Sequence, residues 1–279
     1  MTTSPTTSDL VLTEIDQGVA VVTWNNPARN NAWSVPMERA YYAALEACAD
    51  DPAVRVIVVT GAGKSFCPGM DSDTLADQTT GGSPTFPHLR QPMTLPTTIP
   101  KPIIAAINGG CAGIGFVAAM NCDLRFASSR AKLTTSFAQR GIMAEHGLAW
   151  SLPRLVGTST ALDLLFSARV VQGEEARQLG LIDRVFEPDE LMPKTLEYAR
   201  ALAANSSPVA MGVTKRQVYA ALETTHEDAR TLAIRYWYDV LKGHPDFREG
   251  ISSFLERRAP SFDPWDPATT ADPAPLPEH

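Results

Sequence analysis

The chain has 279 residues, of which 44% are hydrophobic and 20% charged, and it carries a net charge of −7 at pH 7. These values fit a protein that buries a substantial apolar core, and the acidic balance argues against a nucleic-acid partner, whose phosphates need a basic surface. No signal peptide and no apolar run of about 18 residues is visible, so we expect a cytoplasmic protein without a membrane partner.

The N-terminal third predicts a hairpin, a helix and a buried strand. Residues 10–15 and 19–24 alternate as two strands around an Asp-Gln-Gly turn. Ser34 is a candidate N-cap for an amphipathic helix that ends near Asp50. Residues 54–60 form an almost unbroken apolar run, which is typical of a strand covered on both faces.

Strand and helix patterns alternate up to about residue 191, and only helix patterns follow. Residues 102–107 and 124–128 read as strands on either side of a helix at 115–121, which favours an α/β fold with parallel pairing. From about residue 191 the strand patterns stop, and four helices are predicted at 193–204, 208–222, 227–241 and 247–258. We therefore expect a core in residues 1–200, a helical region in 201–262 and a proline-rich mobile tail in 263–279.

Two glycine-rich segments each follow a predicted buried strand. The first is GAGKSFCPGMD at 61–71 and the second is NGGCAGIG at 108–115. Glycines allow positive φ and close approach of a ligand to the main chain. The first N–H groups of a helix that starts there have no internal partner and can bind an oxyanion. Two such donors on one carbonyl oxygen would stabilise an enolate or a tetrahedral anion.

In this order, the two segments resemble the signatures of the enoyl-CoA hydratase/isomerase (crotonase) superfamily. SFCPGMD at 65–71 is similar to the first signature, and INGGCAGIG at 107–115 followed by CDLR at 122–125 is similar to the second. The resemblance covers roughly residues 9–262, and further similar segments are NNPARNNA at 25–32, LPRLVG at 152–157, ARQLGLI at 176–182 and EGISSFLERR at 249–258.

The resemblance implies a fold, a substrate and a site. The fold would be a crotonase-type spiral of repeated ββα units with a C-terminal helical region that mediates homotrimers, commonly paired into hexamers. The substrate would be an acyl-CoA thioester whose carbonyl oxygen accepts the N–H groups of Met70 and Ile114, with no metal or cofactor beyond the coenzyme A of the substrate. The implied substrate-binding residues are Arg29, Asn31, Ala32, Gly69, Asp71, Gly113, Val117 and Phe137.

The catalytic acids of the resembled hydratases are missing here. Hydratases of that family use two glutamates, whose positions hold Val117 and Phe137 in this chain. Neither residue can exchange a proton, so the two-glutamate mechanism is not expected.

One acid remains at the acyl end of the implied pocket. Glu145 matches an acidic catalytic position of the family's dienoyl-CoA isomerases and is the candidate acid/base. The alternative is that Glu145 caps the helix that follows it. The roles of His146, and of His88 and Arg90 in the segment 79–91, stay open. Tyr41, Phe116 and Trp150 are predicted to be core residues.

Several functional hypotheses follow from these patterns. Residues 113–118 also fit G-x-G-x-x-A, the dinucleotide fingerprint, but no acid stands about 20 residues later as that fingerprint requires. Within the resembled family, three hypotheses remain: an isomerase or hydratase that uses Glu145, a hydrolase or carbon–carbon lyase in which Glu145 or His88 activates water, and a catalytically silent acyl-CoA binder.

Overall fold

Two β-sheets form the framework of the protein, whose computed structural model describes residues 10–79 and 92–266. A six-stranded sheet has the order β1-β2-β3-β5-β7-β10, and a four-stranded sheet has the order β4-β6-β8-β9. In chain order from β1 to β10, the strands are Val11–Asp16, Val19–Trp24, Val56–Gly61, Ser65–Cys67, Ile103–Ile107, Gly110–Ala112, Leu124–Ser128, Lys132–Thr134, Val171–Gln172 and Arg184–Phe186.

The larger sheet is parallel except at its first hairpin. β1 pairs with β2 in antiparallel register, and each later neighbour pairs in parallel. All residues of β3 and β5 are buried, as expected for apolar strands covered on both faces. The predicted hairpin, the parallel α/β fold and the end of the strands before residue 191 are confirmed.

The smaller sheet was not predicted from the sequence. Its four strands have two or three residues each, which is too short to show an alternating pattern. β4 and β6 lie inside the two glycine segments and pair with each other in parallel. This sheet therefore places the two predicted oxyanion turns next to one another.

Helices surround the sheets and make up most of the chain after β10. The four predicted C-terminal helices are present, although the third ends at Tyr236 and continues as a π-helix over Trp237–Leu241. None of the described helices is long and apolar enough to cross a membrane. From α1 to α11 they are Val35–Asp50, Ser72–Thr79, Leu95–Thr98, Ile114–Met120, Leu148–Val156, Thr158–Ser167, Gly173–Gln178, Leu191–Asn205, Pro208–Ala221, His226–Tyr236 and Pro245–Glu256.

The apolar core lies on both faces of the larger sheet. The main cluster joins α1 and α4 to one face, and α8 covers the other through Leu191, Ala199 and Ala203. Tyr41 and Phe116 belong to the core as predicted, whereas the prediction for Trp150 was wrong. Trp150 is 38% exposed because its face of α5 borders a cavity. The division at residue 200, which lies within α8, stays a prediction.

Candidate active site

The first glycine turn follows β4 and leads into α2. Gly69 has a φ of 116°, which glycine adopts readily because it has no Cβ. The Trp33 N–H donates to the Gly69 carbonyl at 2.8 Å, and the Asp71 N–H donates to the Trp33 carbonyl at 2.8 Å. Both neighbours of Met70 are thus tied to Trp33, while the Met70 N–H has no backbone acceptor among the residues that the structure describes.

The second glycine turn joins β6 to α4. Gly113 has a φ of 52°, and its N–H donates to the Thr134 carbonyl at 3.3 Å. The Val117 N–H donates to the Gly113 carbonyl at 3.0 Å, which closes the first turn of the helix. Ile114 is the first residue of α4, so its N–H has no intrahelical acceptor, and it has no other backbone acceptor within residues 10–79 and 92–266.

The parallel pairing of β4 and β6 brings these two turns together. Cys67 lies opposite Cys111 in the strand register. A Cβ placed on Gly113 would lie 3.8 Å from the Gly69 Cα, so the two turn glycines are separated by little more than the space of one methyl group. Met70 and Ile114 directly follow these two glycines, so their N–H groups belong to neighbouring turns.

Close packing of α4 on β4 completes the arrangement. A Cβ placed on Gly115 would lie 2.3 Å from the Cys67 carbonyl oxygen, so the helix approaches the strand as closely as it does only because residue 115 is glycine. Ile114 is buried and Met70 is half-buried beside it. Two free N–H groups in a partly desolvated setting are the chemical elements of an oxyanion hole.

Trp33 is a site residue that the sequence analysis missed. Its ring is buried, its indole N–H donates to Glu38 Oε2 at 3.0 Å, and it packs edge-on against Trp24 and Tyr41. Its main chain holds the Met70 turn from both sides. No local pattern marks this role, because the bridge joins segments that are distant in the sequence.

The early loop supports the first turn through Asn31. This side chain is fully buried, accepts the Asn26 N–H at 2.9 Å, and donates to the carbonyls of Ala62 and Ser65 at 2.9 and 2.8 Å. The Asn31 side chain therefore makes its hydrogen bonds within the protein. Ala32, the next residue, is half-buried. If this loop contacts coenzyme A, it does so with its main chain.

Arg29 and Asp71 form an ion pair at the start of α2. Arg29 Nε lies 2.9 Å from Asp71 Oδ2, and Arg29 Nη1 lies 2.9 Å from Asp73 Oδ2. The hydrogen bond with Asp73 is the main cause of a raised pKa for Arg29, and it lowers the pKa of Asp73. Asp71 also accepts the Asp73 N–H at 3.0 Å. Asp71 therefore caps the start of α2 and connects it to Arg29 of the early loop.

Val117 and Phe137 are both buried in the main core cluster. Val117 is three residues after Ile114 in α4, and Phe137 precedes the short 3-10 helix Ala138–Arg140. Neither side chain offers a proton at the two positions where the resembled hydratases carry glutamates.

Glu145 stands in an irregular segment before α5. The N-cap of α5 is Gly147, and no side chain caps this helix, so the prediction that Glu145 is its cap is wrong. Glu145 is half-buried, and its carboxylate has no hydrogen bond or ion pair among the described residues. Its neighbours Ile142 and Ala144 pack against the cluster that holds Ile114. His146 is exposed with a φ of 52°.

The roles of two further candidates lie outside the described residues, since His88 and Arg90 fall between 79 and 92. The four cysteines are buried and free. Burial raises the pKa of Cys67 to about 12 and the pKa of Cys111 well above its ordinary value. The thiols beside the two turns therefore stay protonated at neutral pH and are unsuited to act as nucleophiles.

Comparison with known proteins identifies relatives of the whole chain. The sequence profile of the enoyl-CoA hydratase/isomerase family matches residues 14–264. The chain is 30% identical to 1,2-epoxyphenylacetyl-CoA isomerase of Escherichia coli, over 91% of this chain and 98% of that protein. It is 32% identical to crotonyl-CoA hydratase of Syntrophomonas wolfei, over 90% of this chain and 97% of that protein. A crystal structure of an enoyl-CoA hydratase from Mycobacterium marinum is 44% identical, with a TM-score of 0.67 over 77% of this chain and 100% of that chain.

Proposed function

Because the chain belongs to the enoyl-CoA hydratase/isomerase family, we propose that it binds an acyl-CoA thioester with the carbonyl oxygen between the N–H groups of Met70 and Ile114. The observation that carries this proposal is the close approach of the Gly69 and Gly113 turns, each followed by an N–H without a backbone acceptor in the described chain. Each donor would strengthen its hydrogen bond as the carbonyl oxygen gains negative charge. One donor of this type contributes on the order of 3 kcal/mol to lowering the barrier.

Glu145 is the acid/base of the proposed reaction. Its carboxylate removes a proton from the α-carbon to give a dienolate, and the resulting carboxylic acid, whose proton exchanges with solvent, delivers a proton to the γ-carbon, which moves the double bond. A single carboxylate can carry out this transfer, whereas addition of water through two separate glutamates needs a second acid. Val117 and Phe137 cannot supply that acid, so double-bond isomerisation is the reaction that the site favours.

The coenzyme A arm would lie along the loop that contains Arg29, Asn31 and Ala32, next to Asp71. The buried Asn31 side chain keeps this loop against the Ser65 carbonyl, and the Arg29–Asp71 pair holds it against α2. The proposed reaction needs no metal, flavin or nicotinamide, because a thioester held by two donors already has an acidified α-carbon.

The proposal includes a cytoplasmic homotrimer or a hexamer of two trimers. Its support is a row of exposed apolar side chains on α11, where Phe254 is 79% and Leu255 is 72% exposed. Sedimentation velocity of the full chain tests this assembly, and a monomer at micromolar concentration would contradict it.

The test of the reaction is turnover of a panel of enoyl-, dienoyl- and 3-oxoacyl-CoA esters in deuterated water. We expect a shifted double bond with deuterium incorporated at carbon, and we expect Glu145→Gln to lower kcat by about 100-fold or more. Glu14→Gln, which changes an exposed glutamate on β1, should behave as the parent protein.

Other outcomes select the alternative functions. Release of free coenzyme A or of a shortened acyl-CoA would indicate the hydrolase or carbon–carbon lyase. Tight binding of the esters without turnover would indicate the silent binder. Isomerisation that is unchanged in Glu145→Gln would remove Glu145 from the mechanism.

A further inference from the structure

A second cavity, separate from the oxyanion turns, lies between α3, α5, α9 and the C-terminal end of α4. Its volume is about 580 Å³, which is within the range of small-molecule sites. Met120 and Asn121 line it, whereas Ile114 is at the other end of the same helix. At 1.5 Å per residue, the two ends of α4 are on the order of 10 Å apart. The cavity is therefore not where the thioester carbonyl is proposed to bind.

Apolar side chains from α5 and from the C-terminal part of α9 form much of the cavity wall. Trp150 and Leu155 come from α5, Val218 comes from α9, and Leu222 follows it. Trp150, Val218 and Leu222 line the cavity and are all exposed. Covering such surface is favourable by the hydrophobic effect. The wall therefore suits an occupant with an apolar, flat or branched body.

One largely buried residue of this cavity has a side-chain amide that makes no hydrogen bond within the described chain. Asn121 is only 5% exposed, and its carboxamide makes no hydrogen bond among the residues that the structure describes. Its amide atoms are not among the fully buried side-chain atoms that lack a partner, so the amide is open to the cavity and can exchange a hydrogen bond to water for one to a bound molecule. The Asn121 side chain lines the cavity, so a bound molecule could supply the missing partner.

The other polar groups of the wall favour an anionic head group. Arg154 stacks on the Trp150 ring at 4.1 Å and gives one N–H to the Trp150 carbonyl at 2.9 Å. Its remaining N–H groups have no acceptor in the described part of the chain. The Ser151 hydroxyl lies one helical turn before Arg154 and also lines the cavity. Guanidinium, hydroxyl and carboxamide can all donate to one carboxylate.

Asp123 also lines the cavity, but it is paired and does not repel a bound anion. Asp123 lies 2.7 Å from Lys215 Nζ and accepts from the Tyr219 hydroxyl at 3.0 Å and the Ile103 N–H at 2.7 Å. Its charge is therefore neutralised by a buried lysine, and its oxygens already have donors. Glu223 is exposed at the edge of the cavity.

We propose that this cavity binds a small monocarboxylic acid with an aromatic or branched apolar body. The carboxylate accepts from Arg154, Ser151 and the Asn121 amide, and the body lies between Trp150 and Val218. A cation would be repelled by Arg154, and a neutral apolar molecule would leave Asn121 without a partner.

The probe for this site is 4-fluorobenzoate, followed by fluorine NMR on the full-length protein. A ligand of this size should bind with a Kd on the order of 1 mM, and the neutral 4-fluorobenzamide should bind at least about 10-fold more weakly. Arg154→Gln should weaken 4-fluorobenzoate by about 10-fold, and Val218→Trp should abolish binding by filling the cavity. Arg140→Gln is the matched control, because Arg140 also donates to the carbonyl four residues before it but lies outside the cavity.

Competition with crotonyl-CoA separates this site from the proposed active site. Binding of 4-fluorobenzoate should be unchanged when crotonyl-CoA is present, whether or not the ester is turned over. Displacement by crotonyl-CoA, binding that survives Val218→Trp, or no binding at 10 times the expected Kd would each overturn the proposal. A changed sedimentation coefficient of Val218→Trp, together with no probe binding by the parent protein, would identify the cavity as a contact between copies of the chain.

Discussion

Replacing Gly115 with alanine tests whether the close contact between α4 and β4 creates the proposed oxyanion hole. The added Cβ would lie 2.3 Å from the Cys67 carbonyl oxygen and 2.7 Å from the Cys67 Cβ, whereas ordinary contact begins at 3.4 Å. The helix must therefore move by about 1 Å or the strand must give way. Since Ile114 is the preceding residue, its N–H moves with the helix.

The expected cost can be estimated for stability and for catalysis. Overpacking of this kind costs about 1–3 kcal/mol of unfolding free energy, although alanine regains up to about 1 kcal/mol through its helix propensity. A displacement of about 1 Å at a catalytic group lowers the rate by about 100-fold. We therefore expect a folded, mildly destabilised protein with a much lower kcat and a smaller change in KM.

The assay combines steady-state kinetics, thermal unfolding and infrared spectroscopy of a bound dienoyl-CoA. The thioester carbonyl stretch reports polarisation by the two N–H groups, so its shift on binding should shrink in Gly115→Ala. Gly110→Ala is the matched control, because its added Cβ would lie 3.6 Å from Ser65 Oγ, an ordinary contact. A kcat and a carbonyl shift in Gly115→Ala equal to those of Gly110→Ala would refute the reasoning.

Two further predictions concern buried residues of the core. Trp33→Phe removes the indole N–H from Glu38 and should loosen the main-chain hydrogen bonds by which Trp33 holds the Met70 turn, so kcat should fall by about 10-fold with little change in KM. Tyr41→Phe is the control, because it removes a buried hydroxyl without a described partner and should leave kcat unchanged. Equal kinetics for both variants would contradict this role of Trp33. Burial raises the pKa of Cys48 to about 11, so the unfolded thiol ionises from about pH 8.5 while the folded one stays protonated. The unfolded state then binds fewer protons, and this thiol should cost up to about 3 kcal/mol of stability between pH 8.5 and 11. Urea unfolding under reducing conditions at pH 7.5 and 10 measures this loss of unfolding free energy. The loss should be smaller in Cys48→Ala. If the parent protein and the variant lose the same free energy, Cys48 does not contribute.

Much of the architecture could be predicted from the sequence because its signals are local. The apolar runs of β3 and β5 are long enough to indicate buried strands, and Ser34 accepts the Met37 N–H as an N-cap should. The α/β fold and the four C-terminal helices follow from such patterns. The short strands β4 and β6 could not be found in this way, since three residues carry no periodicity.

The candidate site could be predicted in part. The resemblance of the two glycine segments to the family signatures pointed to Met70 and Ile114, which stay predictions, and the departures at Val117 and Phe137 were visible as residue types. The role of Trp33 was not visible, because it depends on a bridge to a turn far along the chain. The idea that Glu145 caps α5 was wrong because Gly147 begins that helix with positive φ.

The sequence by itself determined which residues could supply the chemistry: glycines that free two main-chain amides, apolar side chains where two acids would be needed, and Glu145 as the candidate acid. Only the tertiary structure decided that the two amides come from adjoining turns, since this depends on the parallel pairing of Cys67 with Cys111 and on the contact of Gly115 with Cys67. The physical reason is that residue type and local propensity act over a few neighbouring positions, whereas the direction of an N–H group is set by partners that folding brings from distant parts of the chain.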